Sequence, residues 1–146
     1  MLSDSKNDLF HLLSVLESIG KLQKYTVDIH TPEEFIEAND QMIYNACLTL
    51  LANIGESVGK LSEYSNQYLK DLDLSAIRGM RNRIVHDYSG LDSYVVFKVT
   101  KNSLNAIKDK IDALIKASVD DKVFDIEEYE LAKVSSYYKH VDFNTK

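Results

Sequence analysis

The apolar positions of this chain recur at three- and four-residue steps along most of its length, the spacing of one helical face. Leu9, Leu12, Leu13, Leu16, Ile19 and Leu22 mark a first helix, expected to start at Ser3 or Asp4 and mildly weakened at Gly20. His30 and Thr31-Pro32 break the chain. Thr31 then reads as an N-cap, with Pro32 at the first helical position and Glu34 three residues after the cap. That capping box sets the proline where a missing N–H costs least. Periodicity resumes through Phe35, Met42, Ala46, Leu50, Ile54, Val58 and Leu61, and Asn39-Asp40 is a candidate cap that splits this run in two. Gly55 and Gly59, one turn apart within it, suggest close helix–helix approach. Residues 62–72 are polar and read as a frayed end plus a loop. Asp73 caps a helix through Ile77, Met80 and Ile84 that breaks at Ser89-Gly90. Asp92 caps a long helix whose apolar side is Val96, Val99, Ser103, Leu104, Ile107, Ile111, Leu114 and Ile115. Asp125 and Glu128 form a second capping box, the last helix runs to about Tyr138, and the tail from His140 to Lys146 reads as loose.

Nothing in the chain alternates as a strand does, and no repeat or low-complexity segment interrupts it. The pattern predicts an all-α fold, an antiparallel helix bundle of four to five core helices plus a C-terminal helix. One proline and five glycines in 146 residues agree, since a sheet protein of this size needs more turn residues. Residues 1–117 read as the bundle and 118–146 as a C-terminal helical extension of the same domain. Long apolar-faced helices in so small a bundle also suit a dimer in which two chains share one core.

Composition narrows the chemistry. The single cysteine, Cys47, rules out a disulfide scaffold and a Cys-built zinc site. MLSDSKNDLF has no long apolar stretch and no later run reaches about 18 apolar residues, so neither a secretory signal nor a membrane span is expected. A reducing, cytoplasmic setting fits. A net charge of −6 argues against a generic nucleic-acid binder but leaves room for a small local site.

The chain has only three arginines, Arg78, Arg81 and Arg83, all within six residues, while its 14 lysines are spread along the sequence. Arginine offers a planar fork of donors matched to phosphate and carboxylate, which lysine does not. His86, Asp87 and Tyr88 follow at once, in IRGMRNRIVHDYSGLD. At about 100° per residue, Met80, Ile84 and Tyr88 fall within roughly 60° of Ile77 and Arg81 lies in the same arc, whereas Arg78, Asn82 and His86 line another side. An arginine among apolar neighbours must find an anion, and Glu56 is the first internal candidate. Asn82, one turn before His86, is placed to hydrogen-bond the imidazole and fix its tautomer. Arg81 and His86 point about 140° apart on a regular helix. They converge on one small group only through an irregular turn or a second copy across a two-fold axis. A carboxylate-bridged metal bundle needs paired Glu-x-x-His motifs. The chain has none, and Asp8-x-x-His11 is a lone echo, so no metal ligands and no cofactor are assigned.

The segment Arg81-Asn82-x-x-x-His86-x-Tyr88 resembles the R-x4-H-x-Y signature of HepT-like toxins in the HEPN superfamily, which belong to MNT–HEPN toxin–antitoxin systems. GMRNRIVHDYSGLD matches that branch closely, and LANIGESVGK (Leu51 to Lys60) resembles the family's helix with its Gly-Glu pair, here Gly55-Glu56. The likeness covers roughly residues 8 to 116. It implies an all-helical homodimer whose two motifs meet in a cleft and form a metal-independent endoribonuclease site. His86 would act as general base or acid, Arg81 would hold the scissile phosphate, and Asn82, Arg78 and Glu56 would support them. It also implies a cognate minimal nucleotidyltransferase, the antitoxin, that transfers AMP from ATP onto Tyr88 and blocks RNA entry by charge and bulk. Two other readings stand beside this one. In one, the same residues form a non-catalytic module that presents substrate to a nucleotidyltransferase. In the other, Arg81 and Glu56 are no more than a structural tie.

Overall fold

The computed structural model describes Ser5 and residues 7–143. Its helices are α1 (Asp8–Tyr25), α2 (Pro32–Glu37), α3 (Met42–Gly59), α4 (Glu63–Tyr68), α5 (Leu74–His86), α6 (Ser93–Lys98), α7 (Leu104–Asp120) and α8 (Ile126–Lys133). No strand occurs among the described residues, so the fold is the all-α bundle the periodicity predicts. The expected start of the first helix at Ser3 or Asp4 lies outside the described residues.

Helix α3 is the central element, flanked by α1 and α5, with α7 packed on α1. The predicted stripe of α1 is buried at every position, and Leu12, Ile19 and Leu22 are fully enclosed. Each such side chain contributes about 1.5–3 kcal/mol relative to leaving it in water. Phe35 of α2 is also fully buried and meets Tyr44 of α3 edge-on at 5.4 Å and Phe97 of α6 at 5.5 Å. The Thr31 capping box forms as read, with Glu34 Oε1 accepting from the Thr31 N–H and the Glu34 N–H donating to Thr31 Oγ1.

Several expectations need correcting. The run between α2 and α3 does split, but Asn39 and Asp40 cap nothing. Asn39, Asp40 and Gln41 have φ values of 52°, 57° and 70°, three consecutive left-handed residues that turn the chain sharply. Short polar side chains tolerate that region better than most. Beyond the turn, a stripe stepped strictly by four drifts about 40° per step on a helix of about 100° per residue. Ile54 and Val58 of that stripe are buried while Met42 at its far end is exposed, and the buried face of α3 is Cys47, Leu48, Leu51, Ile54, Gly55, Ser57 and Val58.

Helix α4 occupies a stretch read as loop. Its serines serve a buried carboxylate rather than solvent. Asp8, only 1% exposed, accepts from the Ser62 N–H at 3.0 Å, Ser62 Oγ at 2.6 Å and Ser65 Oγ at 2.5 Å. Between α6 and α7 the helix widens into a π turn, Val99–Ser103. The inserted residue rotates Thr100 into the core and leaves Ser103 exposed, a phase change that a uniform 3.6-residue period does not register.

At the C-terminal end, Asp125 caps α8 through the Glu127 N–H. The helix stops at Lys133, and a 3₁₀ turn, Ser136–Tyr138, capped by Ser135, follows. His140 is not loose. Its N–H and its Nδ1 both contact the carboxylate of Glu17 on α1, each at 2.7 Å. Residues 144–146 of the expected tail lie outside the described residues.

Candidate active site

Asp73 Oδ1 accepts from the Ala76 N–H and starts α5, and Asp87, with φ −146° and ψ 52°, ends it just after His86. One regular helix therefore carries Arg78, Arg81, Asn82, Arg83 and His86. Leu74 and Ile77 are its buried anchors.

Arg81 is held on two sides. Its Nη2 lies 2.8 Å from Glu56 Oε1, and its Nη1 donates to Asn82 Oδ1 at 2.9 Å. The anion inferred from the wheel is the one present. The ion pair is partly open to water, with the Arg81 side chain 31% exposed and that of Glu56 45%. Solvent screening keeps its contribution to stability below about 1 kcal/mol. Its effect is geometric, because a guanidinium gripped at both ends loses little entropy when it meets a further anion.

Gly55 makes this placement possible. A Cβ there would overlap Arg81 Cβ and stand 3.1 Å from the Ile77 carbonyl oxygen. Close helix approach thus explains Gly55. It does not explain Gly59, whose Cβ would meet only Arg78 Cδ at an ordinary 3.7 Å.

Glu56, Lys60, Arg78, Arg81 and Asn82 line one notch between α3 and α5, of about 200 Å³, with Gly55 and Gly59 in its lining. Lys60, one of 14 lysines spread along the chain, carries no distinguishing signal in the sequence. Its Nζ lies 3.8 Å from Glu56 Oε2, the i,i+4 geometry of one helix.

His86 does not line this notch. It is exposed at the end of α5, and the regular helix keeps it about 140° from Arg81. Asn82 turns its Oδ1 to Arg81, in place of the expected hydrogen bond to the imidazole. Tyr88 is not a continuation of the apolar face of α5. It sits in the 3₁₀ turn Tyr88–Gly90, 54% exposed, and its hydroxyl donates to Asn45 Oδ1 of α3 at 2.6 Å. Asn45, 43 residues away in sequence, left no signal there. Arg83 Nη2 donates to the Gly90 carbonyl at 2.7 Å and ties this turn back to α5. Neighbouring Tyr44 is half-buried, and its phenol is pushed above the ordinary value by burial first, then by Tyr88 and Asp92.

The model of the HepT-like ribonuclease family matches residues 15–114. Three proteins of Methanocaldococcus jannaschii are similar over most of their lengths. "Putative RNase MJ0125" is 30% identical over 113 residues, 77% of this chain and 92% of that protein. "Putative RNase MJ1216" is 29% identical over 105 residues, 72% of this chain and 84% of the relative. "Putative RNase MJ1380" is 29% identical over 109 residues, 74% of this chain and 97% of the relative. No solved structure gives a significant match. The chain is a member of the HEPN superfamily and belongs to its HepT-like ribonuclease family. No helix among the described residues is long and apolar enough to cross a membrane.

Proposed function

We propose that this protein is a metal-independent endoribonuclease and the toxin of a toxin–antitoxin pair, with Arg81 and His86 as its catalytic residues. The observation that carries the reading is the preset guanidinium of Arg81. Glu56 and Asn82 hold it on the helix that presents an exposed His86. The family and the names of the three relatives support RNA as the substrate.

In this mechanism the ribose 2′-oxygen attacks the adjacent phosphorus and the bond from phosphorus to the 5′-oxygen breaks. One imidazole takes the 2′-OH proton and another gives a proton to the leaving 5′-oxygen. The products are a 2′,3′-cyclic phosphate and a 5′-hydroxyl. An imidazole, with an ordinary pKa of about 6.5, serves both steps near neutrality. Arg81 offsets the charge that builds on the phosphoryl oxygens. Because Arg81 and His86 diverge on α5, a composite site needs a second copy of the chain, and a homodimer with a two-fold axis supplies two imidazoles and two guanidinia. Arg78, Asn82 and Glu56 support this arrangement.

Tyr88 is the modification site in this account. Its phenol is exposed and oriented by Asn45, open to a nucleotidyltransferase partner that transfers AMP from ATP. The added phosphate beside the arginines then opposes RNA entry. The test is intact mass and RNA cleavage before and after incubation with the partner nucleotidyltransferase and ATP. An adenylyl mass gain that is absent in Tyr88→Phe, together with loss of cleavage, is expected. A gain that persists in Tyr88→Phe contradicts the assignment. An unmodified protein that cleaves no RNA points instead to the nucleotide-presenting module.

A further inference from the structure

Gly59 ends α3 with ordinary helical backbone, since no glycine among the described residues has a positive φ. Its conformation does not require glycine. Its packing does not either, because an added Cβ would make only an ordinary contact with Arg78 Cδ. A glycine in a helix is nevertheless weaker than alanine. What the missing side chain does provide is bare backbone at the notch between α3 and α5.

The walls of that notch are unbalanced in charge. Lys60, Arg78 and Arg81 face one carboxylate, Glu56, which already serves Arg81 at 2.8 Å and Lys60 at 3.8 Å. No carboxylate among the described residues pairs with Arg78. This surplus of positive charge stands out in a chain of net charge −6. The notch holds about 200 Å³. That is room enough for a phosphate group. No aromatic side chain lines it, so a nucleobase finds nothing there to stack on.

We propose that this notch seats an RNA backbone phosphate next to the scissile one. Lys60 and Arg78 grip it, Gly59 keeps its floor open, and Arg81 forms the wall shared with the reacting phosphate. The assignment rests on the ribonuclease reading above and adds a substrate-positioning subsite to it. Since the seat touches only phosphate, it contributes affinity without sequence preference.

The test uses the full chain carrying His86→Ala, so that RNA survives the measurement, and follows fluorescence anisotropy of a short single-stranded RNA as salt rises. Against that parent, Lys60→Gln with Arg78→Gln is expected to weaken binding about fivefold near 0.1 M salt and to make the salt slope shallower by about 0.7, one phosphate contact on a single strand. Gly59→Ala is expected to bind RNA more weakly while melting at the same temperature as the parent or higher. Variants that bind RNA as the parent does, while the His86-intact chain cleaves RNA, overturn the seat and leave the ribonuclease reading standing. A parent that binds no RNA overturns the seat, and if the His86-intact chain also cleaves none, the ribonuclease reading falls with it. A parallel titration with ATP separates the two sources of phosphate. ATP binding that depends on Lys60 and Arg78, with RNA binding unaffected by their loss, overturns the assignment to RNA.

Discussion

Gly55 of α3 and Arg81 of α5 meet with no room for a methyl group between them. The contact fixes how closely the two helices approach and therefore where the guanidinium lies relative to Glu56. Gly55→Ala must push α5 away, and overpacking of this kind costs typically about 1–3 kcal/mol. Chemical denaturation is expected to show a loss of that size, with RNA cleavage falling further than the fraction unfolded explains. Unchanged stability would mean that the helices part without cost.

Stability and activity should separate at Arg81. Its ion pair with Glu56 is half-open to water, so Arg81→Ala is expected to cost less than about 1 kcal/mol of stability. Loss of a group that offsets transition-state charge typically lowers turnover about 10²–10³-fold. Arg81→Lys should recover little, because one ammonium cannot reproduce a fork engaged by Glu56 and Asn82 together. Paired denaturation and cleavage assays check this. A large stability loss with proportionate activity loss would make the residue a structural tie.

Asp112 of α7 gives the fold a pH dependence. One of its oxygens, Oδ2, is buried without a hydrogen-bond partner, and burial raises its pKa above the ordinary 3.8, with Lys116 and Lys108 opposing the rise. In the window between 3.8 and the raised native value, the folded state holds a proton that the unfolded state has lost. Stability therefore falls as pH rises through that window, and the penalty is complete above it. Asp112→Asn is expected to be more stable than the parent at neutral pH, with the difference closing as pH drops below 3.8. Denaturant midpoints at the two pH values measure this, and a variant no more stable at neutral pH contradicts it.

Glu17 anchors the C-terminal segment by taking both the N–H and the ring nitrogen of His140. Glu17→Ala leaves that partly buried N–H without an acceptor, a loss of about 1–3 kcal/mol. Glu17→Gln keeps one acceptor oxygen and should lose less. Faster hydrogen exchange across residues 134–143 is the expected signature in the alanine variant. Exchange unchanged there would show that packing of Val141 and Phe143 holds the segment by itself.

The chain's local signals are legible where chemistry acts between near neighbours. The caps at Thr31, Asp73 and Asp92 and the buried face of α1 follow from residues a few positions apart. Structure is not legible locally where a distant partner or a phase change decides the outcome. Helix α4 exists because its serines find Asp8, more than 50 residues away. Thr100 is buried because a π turn shifts the register. The candidate site shows the same division. The charge of Arg81 demanded an anion, and Glu56 was legible as its partner, yet Lys60 and Asn45 join only through the packing of α3 against α5 and the turn that carries Tyr88.

The most direct test of the central claim is RNA cleavage by purified protein in EDTA, wild type beside His86→Ala, matched for folding, oligomeric state and freedom from an adduct on Tyr88. The account predicts cleavage by the wild type, products ending in a 2′,3′-cyclic phosphate, and loss of roughly 10²-fold or more in the variant. Equal cleavage by both proteins would contradict the assignment of His86, and no cleavage by the wild type across diverse RNAs would contradict the ribonuclease itself.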